Sequence, residues 1–384
     1  MEPIRILNVV GRMDRGGIET LIMNVYRQID RSKVQFDFLA HYGKENADYN
    51  EEIRALGGRI YEMPVIKSTT KTYYGRFFTY CRALKKFFKE HPEYHVIHGH
   101  MTNTAAIYMP IAKKYGKVTH TIAHSHLTET QKTVSWLTAL GTNLLLKPIR
   151  KQATDYFACS EMAALWLFKQ EDLDAGRVHV ISNGVHTEKF DFSPERRRIV
   201  RQKLGIEENI VLGHVGRFFP QKNHTQLLDI FHHYHTMHPN AVLLLVGEGE
   251  LKEEMQQKAE RLGLGDSVRF LGLRTDVEDL MQGMDLFLMP SLYEGLPVVG
   301  IEAQAAGLPM VVSTEITEEL NITGQVRFVG LEESPEAWTK AIDEALTGCE
   351  RTSTAETLKQ AGYDIQTTAA FLQDFYLEKH GDAK

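Results

Sequence analysis

Leu286-Phe287-Leu288-Met289-Pro290-Ser291-Leu292-Tyr293-Glu294-Gly295-Leu296-Pro297-Val298-Val299-Gly300-Ile301-Glu302 is the stretch on which the fold turns. The apolar run to Met289 reads as a strand, Gly295 as the turn, and Pro297 as the first helical residue, where its missing N–H costs nothing. Strand, tight turn and helix start in that order form the repeating unit of a parallel α/β sheet. The free N–H groups of Val298 and its neighbours would face an anion. Glu294 stands just ahead of that place, and Glu302 about 7 Å further along the helix at roughly 1.5 Å per residue. Such an anion cradle, with Gly295, Leu296, Pro297 and Val298 around it and a hydroxyl-binding carboxylate on each side, suits a sugar–diphosphate–ribose molecule. The plain alternative is a turn common to all parallel α/β proteins, with solvated helical glutamates.

The same alternation runs through most of the 384 residues. Strands are expected at Ile4–Val10, Val34–Leu39, Val96–His98, Thr119–Ala123, Tyr156–Ala158 and His179–Ser182. In the second half they are expected at Ile210–Val215, Val242–Val246, Val268–Leu271, Leu286–Met289, Met310–Val312 and Arg327–Val329. Two sets of about six strands with crossover helices predict an α/β protein of two doubly wound, Rossmann-like domains. They would face across a cleft, with ligands at the carboxyl ends of the strands. The break falls after Ile181-Ser182-Asn183-Gly184-Val185, because Asn-Gly marks a turn and Phe192 to Arg201 is polar and basic. The first domain is then residues 1–188 and the second 189–365. In the last segment, 366–384, Ala369, Phe371, Leu372, Phe375 and Tyr376 recur at helical spacing and predict a helix packing back on the first domain.

Composition is that of a globular protein, and no apolar run approaches the roughly 20 residues that span a bilayer. Met1 to Val10 is strand-like and lacks a secretory cleavage region. Cys81, Cys159 and Cys349 are odd in number and far apart, which fits a reducing cytoplasm rather than a zinc or disulfide framework. The net charge of −6 is unevenly spread. Residues 1–190 hold 26 Lys/Arg against 19 Asp/Glu, and the remainder 18 against 31, so only the first half is basic. Between Lys67 and Lys151 the ratio is 14 to 3, which points that half at an anionic surface. Lys71 to Lys89 interleaves aromatics with cations, as does a helix lying on an anionic membrane. Trp136, Leu137, Leu144 to Leu146 and Lys147 to Lys151 offer a second such patch. An ordinary domain helix with a basic outer face is the alternative. Nucleic acid is not expected, since the aromatics sit among Leu and Phe rather than in a recognised binding module.

Gly216-Arg217-Phe218-Phe219-Pro220-Gln221-Lys222 follows a strand and sets two cations at a strand end. Arg forks onto phosphate oxygens and Lys adds a compact charge, enough to neutralise a departing diphosphate without metal. Gly16-Gly17, after the first strand, lets backbone approach a ligand at a helix start, yet neither G-x-G-x-x-G nor a P-loop is present. His98, His100, His120, His124 and His126 gather near two strand ends. With loop positions, no acidic partner and adjacent residues alternating between faces, a metal is not expected. His124 is placed to bond a sugar hydroxyl, with His126 as its rival. Val246-Gly247-Glu248-Gly249 and Leu271-Gly272-Leu273-Arg274 leave room for a flat base, whose edge backbone near Leu273 and Arg274 could read. His232, His233, His235 and His238 lie on one helix and read as surface.

In their order and spacing these residues resemble the retaining glycosyltransferases of family four, of GT-B fold. The carriers are Gly16-Gly17, Asn183-Gly184-Val185, Gly216-Arg217 with Lys222, Val246-Gly247-Glu248-Gly249, and the Glu294/Glu302 pair in E-G-L-P-x-x-x-x-E form. The resemblance implies that Glu302 binds ribose hydroxyls of a nucleotide-sugar, Glu294 holds the transferred sugar, and Arg217 and Lys222 stabilise the diphosphate. It further implies that Gly16 and Gly17 approach phosphates or acceptor, and that His124 lies near the reacting sugar. A UDP-sugar donor, a saccharide or polyprenyl-linked acceptor, no cofactor and a cytoplasmic place, at the inner face of the membrane, go with it. Asn223 stands where many members have glycine, and His186 replaces the aspartate common after Asn-Gly-Val. Ala123-His124-Ser125-His126 is similar to the branch acting in bacterial capsule or exopolysaccharide synthesis. Rivals from other classes are a GT-B-like nucleotide-sugar epimerase and a non-catalytic nucleotide-sugar sensor.

Overall fold

The computed structural model describes residues 2–14, 16–41, 47–64, 73–126 and 148–382. Trp136, Leu137, Leu144 to Lys147, Lys71 and Thr72 lie outside them. The chain forms two compact units, Met1–Gly184 with Ile365–Lys384, and Val185–Asp364.

The first unit is built on β1 (Ile4–Val10), β2 (Val34–Ala40), β3 (Ile60–Glu62), β4 (Val96–Gly99), β5 (His120–Ser125), β6 (Asp155–Ala158) and β7 (Val178–Val180). They pair in parallel in the order β3-β2-β1-β4-β5-β6-β7. The chain thus winds outward from β1, returns, and winds the other way, with a switch point between β1 and β4. All seven residues of β2 are buried, as befits a parallel strand covered on both faces. β3 escapes sequence reading because it is a three-residue edge strand, only partly buried. The Ile365–Gly381 helix buries Ile365, Ala369, Leu372, Phe375 and Tyr376 in the same core as Leu21, Ile22 and Val25 of the Gly17–Gln28 helix.

The Tyr73–Glu90 helix corrects one expectation. Tyr80, Leu84, Phe87 and Phe88 face the core, leaving Phe78, Arg82, Lys85, Lys86 and Lys89 outside. The helical period sorts most aromatics from cations, so the outer face is basic, with Phe78 exposed on it. Lys85, Lys89 and Lys114 place their ammonium groups 5.3, 5.6 and 5.5 Å from the centre of the Tyr115 ring. Among the described residues no helix is long and apolar enough to cross a membrane.

The second unit holds β8 (Ile210–Val215), β9 (Ala241–Val246), β10 (Val268–Gly272), β11 (Leu286–Met289), β12 (Met310–Ser313) and β13 (Val326–Val329). Their parallel order, β10-β9-β8-β11-β12-β13, repeats the same winding with its switch point between β8 and β11. Val185 bridges to Asp364, its N–H donating to the Tyr363 carbonyl at 2.8 Å, and the Thr187 hydroxyl donates to Asp364 Oδ1 at 2.8 Å. Those bonds hold the segment around His186, whose carbonyl accepts from the Lys189 and Phe190 amides at 3.0 and 3.1 Å.

Candidate functional site

The loops after β8 and β11, the two strands flanking the second switch point, carry the groups expected to act together. Lys222 ends a short 3-10 turn, Pro220–Lys222, and Glu294 lies in the loop leading from Met289 to the Val298–Ala305 helix. Lys222 Nζ donates to Glu294 Oε1 at 2.5 Å, with side chains only 16% and 11% exposed. Gln221, which sequence reading missed, ties the loops further: its amide donates to the Tyr293 carbonyl at 2.9 Å and to Glu294 Oε2 at 3.2 Å, while its carbonyl accepts from the Leu292 N–H at 2.8 Å. Asn223 adopts φ 52°, the left-handed region where glycine is at home, and donates from Nδ2 to the Pro290 carbonyl at 3.1 Å. Asparagine is the other residue that tolerates that conformation, so the departure from glycine keeps the backbone and adds a tie. Arg217 is exposed, its guanidinium 5.5 Å from the Phe219 ring centre, and no ion pair holds it among the described residues.

The glycines divide into two kinds. An added Cβ on Gly247, at φ +143°, would lie 2.1 Å from the Gly216 carbonyl oxygen. One on Gly216 would lie 2.9 Å from His214 Nε2 and 3.3 Å from Lys222 Cε. Both therefore serve the close zipping of strand ends, where the Gly216 amide donates to Val246 and the Gly247 amide to Gly272, each at 2.9 Å. A Cβ on Gly295 would meet nothing within 4 Å, and φ there is not positive. Gly295 is thus not needed to make the turn; its contribution is open space ahead of the helix. Pro297 is the N-cap, at φ −74° and ψ 120°, one place before the first helical residue Val298. Pro297 is buried and Leu296 and Val298 are half-buried beside that opening. In the loop after β10, Leu273 is exposed and Arg274 is held by Asp276 at 2.6 and 2.7 Å, so its fork is already engaged.

Glu302 lies one turn into the helix, partly buried. Burial, and then the charge of Glu278, raise its pKa to about 7, against a lowering pull from Lys189. Lys189 pairs with Glu278 at 2.8 Å, so its charge is already shared.

The remaining expected residues belong to the first unit. Gly16 is the N-cap of the Gly17–Gln28 helix, and a Cβ there would lie 2.4 Å from Glu19 Oε2, whereas one on Gly17 would meet nothing. His98 and His124 sit within β4 and β5, not in loops, and residues two apart share a face. The rings therefore gather: His98 stacks on His100 at 4.3 Å and His124 on His126 at 4.0 Å. Across the strands His98 Nε2 meets His124 Nδ1 at 3.0 Å and His100 Nδ1 meets His126 Nε2 at 3.0 Å. Tyr376 and Asn8 anchor the far ends, at 2.6 Å from His98 Nδ1 and 3.3 Å from His100 Nε2. Asn8, a lone amide inside the apolar run Ile4–Val10, was the signal in the sequence. Burial lowers the pKa of all four rings, of His98 and His126 to about 3. His120 stands apart, 3.5 Å from Asp155. Nitrogens of His98, His100 and His124 lie within 4.8 Å of one another, a spacing open to a transition ion. The 3.0 Å contact between His98 and His124 is also an ordinary N–H···N length.

Residues 15–189 match the family model described as Glycosyltransferase Family 4, and residues 196–364 the model described as Glycosyl transferases group 1. The chain is 36% identical over 376 residues to the putative glycosyltransferase EpsF of Bacillus subtilis, covering 97% of this chain and 96% of that protein. A UDP-Gal:alpha-D-GlcNAc-diphosphoundecaprenol alpha-1,3-galactosyltransferase of Escherichia coli is 29% identical over 60% of each chain. Among solved structures, Anabaena Alr3699/HepE in complex with UDP superposes with a TM-score of 0.75 at 19% identity, covering 97% of this chain and 99% of that one.

Proposed function

Since the chain belongs to the family 4, group 1 glycosyltransferases of GT-B fold, we propose that it moves a sugar from a UDP-sugar to a saccharide acceptor carried on a lipid diphosphate, with retention at the anomeric carbon and without metal. The observation that carries this is the contact of Lys222 with Glu294 at the second switch point, with Arg217, in no ion pair among the described residues, on the same loop after β8. The pair fixes an ammonium and a carboxylate side by side before any donor arrives. On binding, the carboxylate accepts hydrogen bonds from the transferred sugar, and the ammonium and the free guanidinium meet charge growing on the β-phosphate. The open space at Gly295 lets that phosphate reach the amides at the helix start. The acceptor hydroxyl attacks from the face the phosphate leaves, and a phosphate oxygen takes its proton. Glu302 accepts from the ribose hydroxyls and His124 bonds a sugar hydroxyl.

HepE was solved with UDP and with UDP-glucose, and the Escherichia coli relative is named for a diphosphoundecaprenol acceptor. These support the donor and acceptor classes. The basic outer face of the Tyr73–Glu90 helix would hold the enzyme at the anionic cytoplasmic surface of the membrane where such an acceptor resides. Flotation with anionic liposomes at low salt, lost at high salt, is the expected result; no flotation at low salt removes the membrane contact.

The decisive assay incubates the protein with a UDP-sugar panel and membrane extract, with and without chelator, and reads the product anomer by NMR. Transfer with retention, unaffected by chelator and reduced roughly 10²-fold in R217A and K222A, is expected. An isomerised donor, or binding without turnover, would replace this reading with an epimerase or a sensor.

A further inference from the structure

Glu294 is gripped twice, by two residues adjacent in the chain. Lys222 Nζ donates to its Oε1 at 2.5 Å, and the Gln221 side-chain amide donates to its Oε2 at 3.2 Å. One grip is an ion pair and the other is neutral, and both come from the Pro220–Lys222 turn. The Gln221 nitrogen also donates to the Tyr293 carbonyl at 2.9 Å, so its two hydrogens meet two oxygens. That decides which end of the amide is which, since the opposite setting would press an amide oxygen against both acceptors. The main chain of Gln221 is tied to the same loop, for its carbonyl accepts from the Leu292 N–H at 2.8 Å. Backbone and side chain of Gln221 are thus both anchored on residues 292–294, and the carboxylate held there is only 11% exposed.

The two grips answer differently to a ligand. Lys222 is a compact charge with three donors, and it is drawn to any anion that comes near. A diphosphate carries more charge than one carboxylate, so a bound diphosphate shares the ammonium or draws it off. The Gln221 amide has no net charge, and its second hydrogen stays on the Tyr293 carbonyl. Its grip on Glu294 Oε2 therefore outlasts the arrival of the diphosphate. A mere tie between the loops needs only the Tyr293 bond. The bond to Oε2 acts on the carboxylate itself, and hydrogen bonds to charged acceptors are the stronger kind. Each carboxylate oxygen keeps a second lone pair for a hydroxyl donor.

We propose that Gln221 is a positioning residue, which holds the Glu294 carboxylate in place for the transferred sugar while Lys222 turns to the diphosphate. This rests on the glycosyl-transfer reading, in which Glu294 receives that sugar. The Lys222–Glu294 pair is then the resting arrangement, and the Gln221–Glu294 bond is the one that persists when the donor is bound.

The test is calorimetric titration of full-length wild type, Q221M, E294A and the double variant with UDP, UDP-glucose and UDP-galactose. Methionine keeps the length of glutamine and removes both donors. UDP lacks the sugar, so Q221M should bind it as wild type does. The sugar nucleotide that wild type holds should bind Q221M about tenfold more weakly, the worth of one hydrogen bond to a charged group. E294A should weaken the same ligand at least as much, and the double variant no further than E294A, because Gln221 acts through Glu294. In Q221E two carboxyl groups face each other and share a proton as pH falls, which restores a donor, so its sugar-nucleotide affinity relative to wild type should recover between about pH 8 and about pH 6. A merely structural tie would instead weaken UDP together with the sugar nucleotides, and would give Q221E no such recovery. Unchanged sugar-nucleotide affinity in Q221M, or a full further loss in the double variant, overturns the role of Gln221. Sugar-nucleotide binding in E294A equal to that of wild type overturns the placement of the sugar at Glu294, and with it the reading on which this role rests.

Discussion

At Gly247 the backbone is left-handed and the Gly216 carbonyl lies where a side chain would begin, while at Gly295 the space is empty and φ is ordinary. The two glycines thus answer different demands, which spacing alone could not reveal. G247A should lose several kcal/mol of stability, since strain and a backbone clash coincide there. G295A should melt like wild type yet bind UDP more weakly, because its methyl group fills the approach to the helix start. Thermal melts and UDP titration of both variants check this; equal UDP affinity in G295A would show that the opening does not serve a ligand. Glu302 supplies a pH signature at the same scale. Its folded pKa of about 7 lies above the unfolded value near 4.5, so between them the native state holds a proton that the unfolded chain has released. Stability therefore falls as pH rises through that window, and the penalty is absent below it. E302Q cannot ionise, so its melting temperature relative to wild type should climb from pH 4.5 to 7 and then level off. Parallel curves would mean that Glu302 titrates as an ordinary surface carboxylate.

Between elements, the Lys222–Glu294 contact joins the loops after β8 and β11, with Gln221 and Asn223 as flanking ties. Removing half of a desolvated ion pair leaves an uncompensated charge, whereas removing both leaves none. K222M alone should therefore destabilise the second unit by about 3 kcal/mol, and K222M with E294L should recover most of that loss. Urea titration of the four proteins in the cycle gives the coupling; additive losses would show that the two side chains do not depend on each other. Lys222 and Glu294 were legible as members of one site, though not as an ion pair, because each follows an apolar strand in a parallel pattern, and strand ends converge at a switch point. Most strands were legible for the same reason, being β-branched runs buried on both faces. The three-residue edge strand β3 was not, since so short a run has no period to read. The stacking of four histidines was misread because adjacent residues alternate between faces while residues two apart do not. Tyr376 was legible only as a core residue: helical spacing shows which face is buried, not which polar atom a buried hydroxyl will find.

On the scale of the whole molecule, the first unit is discontinuous, for Ile365–Lys384 belongs with Met1–Gly184. Its closing helix contributes Ile365, Ala369, Leu372, Phe375 and Tyr376 to the core that β1 and β2 share with the Gly17–Gln28 helix. Losing one large buried side chain costs about 2–5 kcal/mol, and a domain is stable by only about 5–15 kcal/mol. Truncation after Asp364 removes all five at once, so the first unit should not fold, although the residues deleted carry no expected contact with a substrate. The second unit keeps its sheet and the Val185–Asp364 bridge intact. Hydrogen exchange read by mass spectrometry should find amides of β1, β2 and β4 exchanging at once in the truncated chain, with β8, β9 and β11 still protected. UDP binding, which the proposed function assigns to the second unit, should persist while transfer disappears. Protection of β1 equal to that of the full chain would show that the closing helix covers the first unit without holding it together.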